Sequence, residues 1–197
     1  MEDNLLTNHN PLIQFLANGI LKLIGWRVVG VFPDIPKFVL VGAPHTSNWD
    51  FPLALLLMYA TGVRFKWIGK DSLFRPPFDK LFRRLGGIPV RRDRSSNFVS
   101  QIIEAFDHSK RLIIAIAPEG TRSKIAYWKT GFYYMALGAK VPLVLGFIDY
   151  GRRQVGVGPF FYPSGNIRSD FCRLRDFYAD ITGLYPEKQG AIEISSE

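Results

Sequence analysis

Ala43-Pro44-His45-Thr46-Ser47-Asn48-Trp49-Asp50 is the stretch on which the reading of this chain turns. Before it lies the apolar run Lys37-Phe38-Val39-Leu40-Val41-Gly42, a buried strand by composition. After it comes Phe51-Pro52-Leu53-Ala54-Leu55-Leu56-Leu57-Met58, which reads as a buried helix. Proline is tolerated only in the first helical turn, so Pro52 places the helix start between Asn48 and Phe51. His45 and Asp50 therefore share a tight strand-to-helix turn, within reach of one another. A carboxylate beside an imidazole fixes its tautomer and stabilises the imidazolium, which makes a general base. Taken alone, the pair reads more readily as a helix cap beside a satisfied turn histidine; the segments further along decide what it is.

A chain of 197 residues suits one domain with a full core. Its 47 % hydrophobic and 21 % charged content excludes a disordered polypeptide. The net charge of +8 points to an anionic partner: a phosphorylated substrate, nucleic acid, an acidic protein or anionic lipid. Cys172 is the single cysteine, which excludes a disulfide framework and a thiolate metal cluster. No closely spaced set of His, Cys or carboxylates suggests a zinc site, so no metal is expected. Met1-Glu2-Asp3-Asn4 lacks the basic start of a secretory signal, and the protein is read as cytosolic-side.

Asn10-Pro11 is a helix start, with Asn as cap and Pro in the first turn, and Gly25 is a stop. Within 11–24 the polar residues Gln14, Asn18 and Lys22 form one narrow stripe and apolar residues cover the rest. Such a helix is too short to span a bilayer. It is read either as an amphipathic helix in the membrane interface, with Trp26 and Arg27 at its end, or as a helix packed on the domain. Beyond it, strands are predicted over 27–32, 37–42, 64–69, 88–91, 111–117, 141–148 and 155–161. Helices are predicted after Asp50, over 77–85, after a Ser95 or Ser96 cap, and over 131–137 and 170–181. His9 and His108 lie at polar helix ends and read as solvated. The expected organisation is an N-terminal amphipathic helix (1–26), a single α/β domain (27–182) with a mostly parallel or mixed sheet flanked by helices, and a loose tail (183–197).

Two more segments repeat the layout of the first. Leu112-Ile113-Ile114-Ala115-Ile116 opens into Ala117-Pro118-Glu119-Gly120-Thr121-Arg122-Ser123, and Leu85-Gly86-Gly87-Ile88-Pro89-Val90 leads into Arg91-Arg92-Asp93-Arg94. In open α/β sheets ligands gather outside the carboxyl ends of the strands. If the three segments end on one edge, His45, Asp50, Arg92, Glu119 and Arg122 converge there. Arginine grips a phosphate bidentately, Gly120 lets backbone approach a ligand, Thr121 offers a hydroxyl, and Glu119 accepts hydrogen bonds from hydroxyls or holds the arginines. A base, a phosphate clamp and a hydroxyl acceptor suit transfer onto the hydroxyl of a phosphorylated polyol.

At these residues the chain resembles the glycerolipid (lysophospholipid) acyltransferases, the family of the bacterial lysophosphatidate acyltransferases. Their His-x4-Asp motif is His45 to Asp50. Their Gly-x-x-Phe-Ile-x-Arg motif is matched loosely by Gly86-Gly87-Ile88-Pro89-Val90-Arg91-Arg92, with Arg92 at the motif arginine. Phe-Pro-Glu-Gly-Thr-Arg-Ser is Ala117 to Ser123 with only its first residue changed, and the fourth motif, a Val-Pro-Ile-Val-Pro-like strand, is Val141-Pro142-Leu143-Val144-Leu145. His45 precedes Glu119 by 74 residues, about the family's usual separation. The resemblance implies that His45, oriented by Asp50, deprotonates the free hydroxyl of a lysophospholipid, which attacks the thioester of acyl-coenzyme A or acyl carrier protein. It implies that Glu119, Gly120, Thr121 and Arg122, with Arg92, hold the glycerol-phosphate head group. No cofactor is implied beyond the acyl donor as co-substrate. The acceptor it favours is 1-acyl-glycerol-3-phosphate, giving phosphatidic acid, with a lyso-aminolipid or another lyso-lipid as the alternative. The expected place is the cytoplasmic face of the inner membrane, peripheral or monotopic. Ten basic residues against three acidic ones between Arg64 and Arg94 suit coenzyme A phosphates, an acidic carrier protein or an anionic membrane surface.

Two rival classes fit the residues less well. A hydrolase with Ser47 as nucleophile would need that serine to reach an imidazole two residues away, and no Gly-x-Ser-x-Gly elbow exists. A basic nucleic-acid-binding domain fits the charge, but no helix-turn-helix, finger or RNA-binding signature is found, and no nucleic-acid partner is expected.

Overall fold

The computed structural model describes residues 10–90 and 95–195; of residues 95–97 only the backbone is described. Among the described residues one sheet of seven strands runs in the order β1-β7-β6-β2-β5-β3-β4. The strands are β1 (Arg27–Val29), β2 (Lys37–Ala43), β3 (Lys66–Lys70), β4 (Gly87–Val90), β5 (Leu112–Ile116), β6 (Leu143–Asp149) and β7 (Gln154–Phe161). Every pairing is parallel except β6 with β7, so the sheet is mixed. The helices are α1 (Pro11–Leu23), α2 (Asp50–Thr61), α3 (Asp79–Arg84), α4 (Ser95–His108), α5 (Gly131–Gly138) and α6 (Ile167–Tyr178). The expected α/β domain is therefore what is found.

The centre of the sheet is apolar on both faces because helices cover both, as parallel strands require. Along β2, Val39, Val41 and Ala43 pack with Phe106, Phe132 and Tyr178 on one face. Phe38 and Leu40 alternate to the other face and join Met58 of α2. Tyr178 ties α6 to the sheet by donating to the carbonyls of Val41 and Gly146, at 2.9 and 3.0 Å.

The chain leaves β2 through α2 toward β3 and β4, returns to place β5 beside β2, and only then adds β6 on β2's other flank. The carboxyl ends of β6, β2 and β5 are thus neighbours, at the point where the strand order reverses. Open α/β sheets form their ligand crevice at such a point.

Several elements differ from the sequence reading. β1 stops at Val29 because Gly30 turns at φ +80° and its Cα lies against the Val157 carbonyl, leaving no room for a side chain. α6 begins three residues before Asp170, where the Asn166 side chain accepts from the Ser169 N–H and caps the helix. The Ser95/Ser96 cap lies outside the described side chains. The segment after α6 is not loose. Trp128 N–H donates to the Glu193 carbonyl at 2.9 Å, Gln189 bridges Gly183 and Ile181, and Ile192 and Ile194 pack on the main core. Its alternation of small and polar residues hides two isoleucines that find a core only in three dimensions.

α1 begins as its sequence indicates: Asn10 Oδ1 accepts from the Leu12 and Ile13 amides, and Gly25 ends it at φ +78°. It lies on α2 with Ala17 and Leu21 buried, and Asn18, from the polar stripe, donates to the Ala60 carbonyl of α2 at 3.1 Å. The polar stripe therefore borders the packed side, and the apolar residues point outward: Phe15 is 74 % and Leu23 86 % exposed. Among the described residues no helix is long and apolar enough to cross a membrane.

Candidate active site

The turn after β2 is organised by the Asp50 carboxylate, which is 4 % exposed. Its Oδ2 accepts from the Thr46 and Ser47 amides at 3.0 and 2.9 Å and stands 2.9 Å from His45 Nδ1. Three donors converge on one oxygen because the chain folds back on itself between the strand end and the first helical residue. Asp50 therefore does not cap α2; it closes the preceding turn. A carboxylate partner requires the proton on Nδ1, which leaves Nε2 as the nitrogen able to take a proton. The ring is about a quarter exposed (26 %), so that nitrogen can meet a substrate.

Ser47 is part of the same turn. Its Oγ accepts from the Trp49 amide at 3.1 Å and the residue is buried, which leaves it unsuited to attack as a nucleophile.

Glu119 comes from the end of β5, the next strand. Its Oε1 accepts from the His45 amide at 3.0 Å, so the carboxylate ties the β5 loop to the β2 turn across 74 residues of chain. Burial pushes the Glu119 carboxyl above its ordinary range, against the lowering effect of its own and His45's backbone amides and of the nearby imidazole. Oε2 is buried without a hydrogen-bond partner among the described residues. The cavity beside it, lined by Pro44, Trp128 and Tyr178 among others, has room of only about 20 Å³, too little for any lipid. A substrate must lie across the open edge.

After Glu119 the chain turns at Gly120, with φ +62°. A β-carbon there would stand 3.3 Å from the end of the Lys129 side chain, which can give way, so it is the left-handed conformation that favours glycine. Thr121 Oγ1 accepts from the Ser123 amide at 3.4 Å, and Arg122 is on the surface. The loop thus presents backbone, a hydroxyl and a guanidinium beside the His45–Asp50 pair, with the Lys129 ammonium adding positive charge. A base next to a loop that carries positive charge has the parts needed to deprotonate a hydroxyl on a phosphorylated molecule.

The acyltransferase family model matches residues 29–145, more than half of the chain. The chain belongs to the acyltransferase family. Its fold is that of a solved acyltransferase, the 1-acyl-sn-glycerophosphate (LPA) acyltransferase PlsC from Thermotoga maritima. The TM-score is 0.56 with 22 % identity, over 86 % of this chain and 75 % of that one. No curated protein sequence matches it.

The site residues of this acyltransferase expected from its sequence fall into three groups. His45 is in direct contact with both Asp50 and Glu119, and Gly120, Thr121 and Arg122 follow Glu119 on one loop. Arg92 lies outside the described residues; β4, which precedes it, points the same way as β2 but stands three strands away, about 14 Å at ordinary strand spacing. Among the described residues no group of three His, Cys, Asp or Glu side chains could hold a metal.

Lys129, Tyr150 and the segment from Gly183 to Tyr185 carry no motif that marks them in the sequence, yet they border the site. Tyr150, just after β6, donates its hydroxyl to Asp50 Oδ1 at 2.8 Å. Gly183 lies so close to Thr46 and Pro44 that any side chain would collide, and the Tyr185 amide donates to Thr46 Oγ1 at 3.3 Å. Position at the carboxyl end of a strand is the signal that could have found Tyr150.

Proposed function

We propose that this acyltransferase moves a fatty acyl group from acyl-coenzyme A or acyl carrier protein to the free hydroxyl of a lysophospholipid. The proposed acceptor is 1-acyl-glycerol-3-phosphate, and the product phosphatidic acid. The observation that carries this reading is the His45–Asp50 pair, its Nδ1 engaged and its ring partly open, beside the Gly120-Thr121-Arg122 loop.

In this scheme His45 Nε2 takes the acceptor hydroxyl proton as the oxygen attacks the thioester carbonyl. A tetrahedral oxyanion forms and collapses, the carbon–sulfur bond breaks, and the imidazolium returns the proton to the departing thiolate. Asp50 stabilises the imidazolium between these steps. Arg122, with Arg92 and the Lys129 ammonium, neutralises the acceptor phosphate, while Gly120 and Thr121 offer close backbone and a hydroxyl. Glu119 enters by holding the loop that carries them.

The acyl chains suit the surface better than the interior. α2 turns Leu53, Leu57 and Met58 into the core, whereas α1 presents Leu12, Phe15, Leu16, Ile20 and Leu23 outward. With a net charge of +8, such a helix supports a peripheral or monotopic place on the cytoplasmic face of the membrane, where both lipid and donor are at hand.

The test is acyl transfer in detergent or liposomes with labelled acyl-coenzyme A and acyl carrier protein in parallel, against a panel of lyso-lipids. Transfer to lysophosphatidate that disappears in His45→Ala supports the reading. Transfer to a lyso-aminolipid instead refutes the acceptor and keeps the chemistry. No transfer by folded protein refutes both.

A further inference from the structure

Asp50 meets four donors, and one of them comes from the turn after β6, which the scheme above does not use. Oδ2 is occupied by His45, Thr46 and Ser47, all from its own turn. Oδ1 accepts from the Tyr150 hydroxyl at 2.8 Å, which arrives from 100 residues further along the chain.

The placement of Tyr150 is over-determined. Asp149, the last residue of β6, is 2 % exposed and accepts from the Arg152 amide and guanidinium at 3.1 and 2.9 Å, which fixes the β6–β7 turn. The Tyr150 amide donates to the Thr182 carbonyl at 2.8 Å, anchoring its backbone to the segment after α6. Trp26, just past α1, packs edge-on against the phenol ring with centroids 5.0 Å apart. These contacts brace the ring with its hydroxyl on Asp50 Oδ1.

Three donors from one turn hold Oδ2, and nothing from that turn holds Oδ1. The Tyr150 hydroxyl anchors Oδ1, which fixes the plane of the carboxylate against the imidazole, and it draws part of the negative charge away from Oδ2. We propose that Tyr150 is a positioning residue of this acyltransferase: its hydroxyl, braced by Trp26, locks the Asp50 carboxylate so that Oδ2 alone faces His45 Nδ1. This rests on the reading of His45 as the base. The ionisable groups around the His45–Asp50 pair are Glu119 from the β5 loop and Tyr150, with Tyr185 near the phenol and Arg122 and Lys129 at the neighbouring loop.

Tyr150→Phe keeps the ring against Trp26 and removes only the hydroxyl. The expected result is a kcat lower by about tenfold, the scale of one hydrogen bond to a charged group, with KM within about twofold and a melt lower by only a few degrees. Asp50 then carries more charge toward the imidazole, so the acidic limb of the kcat/KM pH profile moves to higher pH. The NMR titration of the His45 ring, assigned by its disappearance in His45→Gln, moves the same way. A wild-type kcat with an unmoved profile and ring titration overturns the proposal, as does a loss confined to thermal stability. If the wild-type protein transfers no acyl group, the proposed function fails, and the ring titration of wild type against Tyr150→Phe still decides the role of Tyr150.

Discussion

Replacing Asp50 by asparagine separates the charge of the site from its geometry. Three N–H donors converge on Oδ2 and one hydroxyl on Oδ1, so the new amide in Asp50→Asn has one favourable orientation. Its carbonyl takes the Oδ2 place, and its NH2 faces Tyr150, whose hydroxyl rotates to accept. His45 keeps its tautomer and the turn keeps its bonds, so stability should change by less than about 1 kcal/mol. The full charge is lost. Two unit charges about 4 Å apart at an effective dielectric of about 20 interact by about 4 kcal/mol. The amide dipole restores part of this, so about 3 kcal/mol of imidazolium stabilisation disappears and kcat should fall by roughly 10²-fold.

Asp50→Ala behaves differently. It strands two backbone N–H groups and the Tyr150 hydroxyl in a buried place, at about 1–3 kcal/mol each before water relieves some of them. A net loss of about 3–4 kcal/mol corresponds to a melting temperature lower by roughly 10 °C in a domain of this size. Steady-state transfer of a labelled acyl group and thermal melts by circular dichroism read the two quantities separately. A wild-type kcat in Asp50→Asn would remove the charge from the mechanism. An Asp50→Asn melt as low as that of Asp50→Ala would show that the turn is not built on the Oδ2 acceptor.

Two further outcomes are expected. Glu119→Gln keeps an acceptor for the His45 amide and removes a buried ionisable group. The folded carboxyl titrates above its unfolded value of 4.5, so its contribution to stability is full below that pH and is lost as pH rises through the folded value. The melting temperature of the variant minus that of wild type should therefore widen in the variant's favour from about pH 4 upward, and a calorimetric gap independent of pH contradicts the burial argument. On α1, Phe15→Ser with Leu23→Ser alters two side chains 74 % and 86 % exposed, so the melt should hold while affinity for vesicles containing anionic lipid falls by about tenfold or more. Unchanged co-sedimentation with those vesicles removes the membrane-interface role from the helix.

The His45–Asp50 contact is legible in the sequence because it is local: a strand end, five residues and a proline-marked helix start put the two side chains within reach of one another. The α/β class is legible for a similar reason, since buried parallel strands read as continuous apolar runs and alternate with helical periods. The start of α1 is also local, written in Asn10-Pro11, as is its stop at Gly25. Which face α1 shows outward is not, because that depends on where α2 lies.

Pairing across the sheet is set by register and strand order, and neither is encoded in any short window. Only the placement of β5 beside β2 brings Glu119 to the His45 amide, and only the late addition of β6 on β2's other flank brings Tyr150 to Asp50. The segment 183–195 reads as loose because its anchors, Thr46, Trp128 and the core beneath Ile192 and Ile194, are distant along the chain. Short windows of sequence therefore suffice for the turn, the dyad and the class of fold, all of which follow from neighbours along the chain. What surrounds the dyad is a matter of topology, because a carboxylate's second oxygen, a buried loop tie and a docked terminal segment are filled by whichever strand is placed alongside.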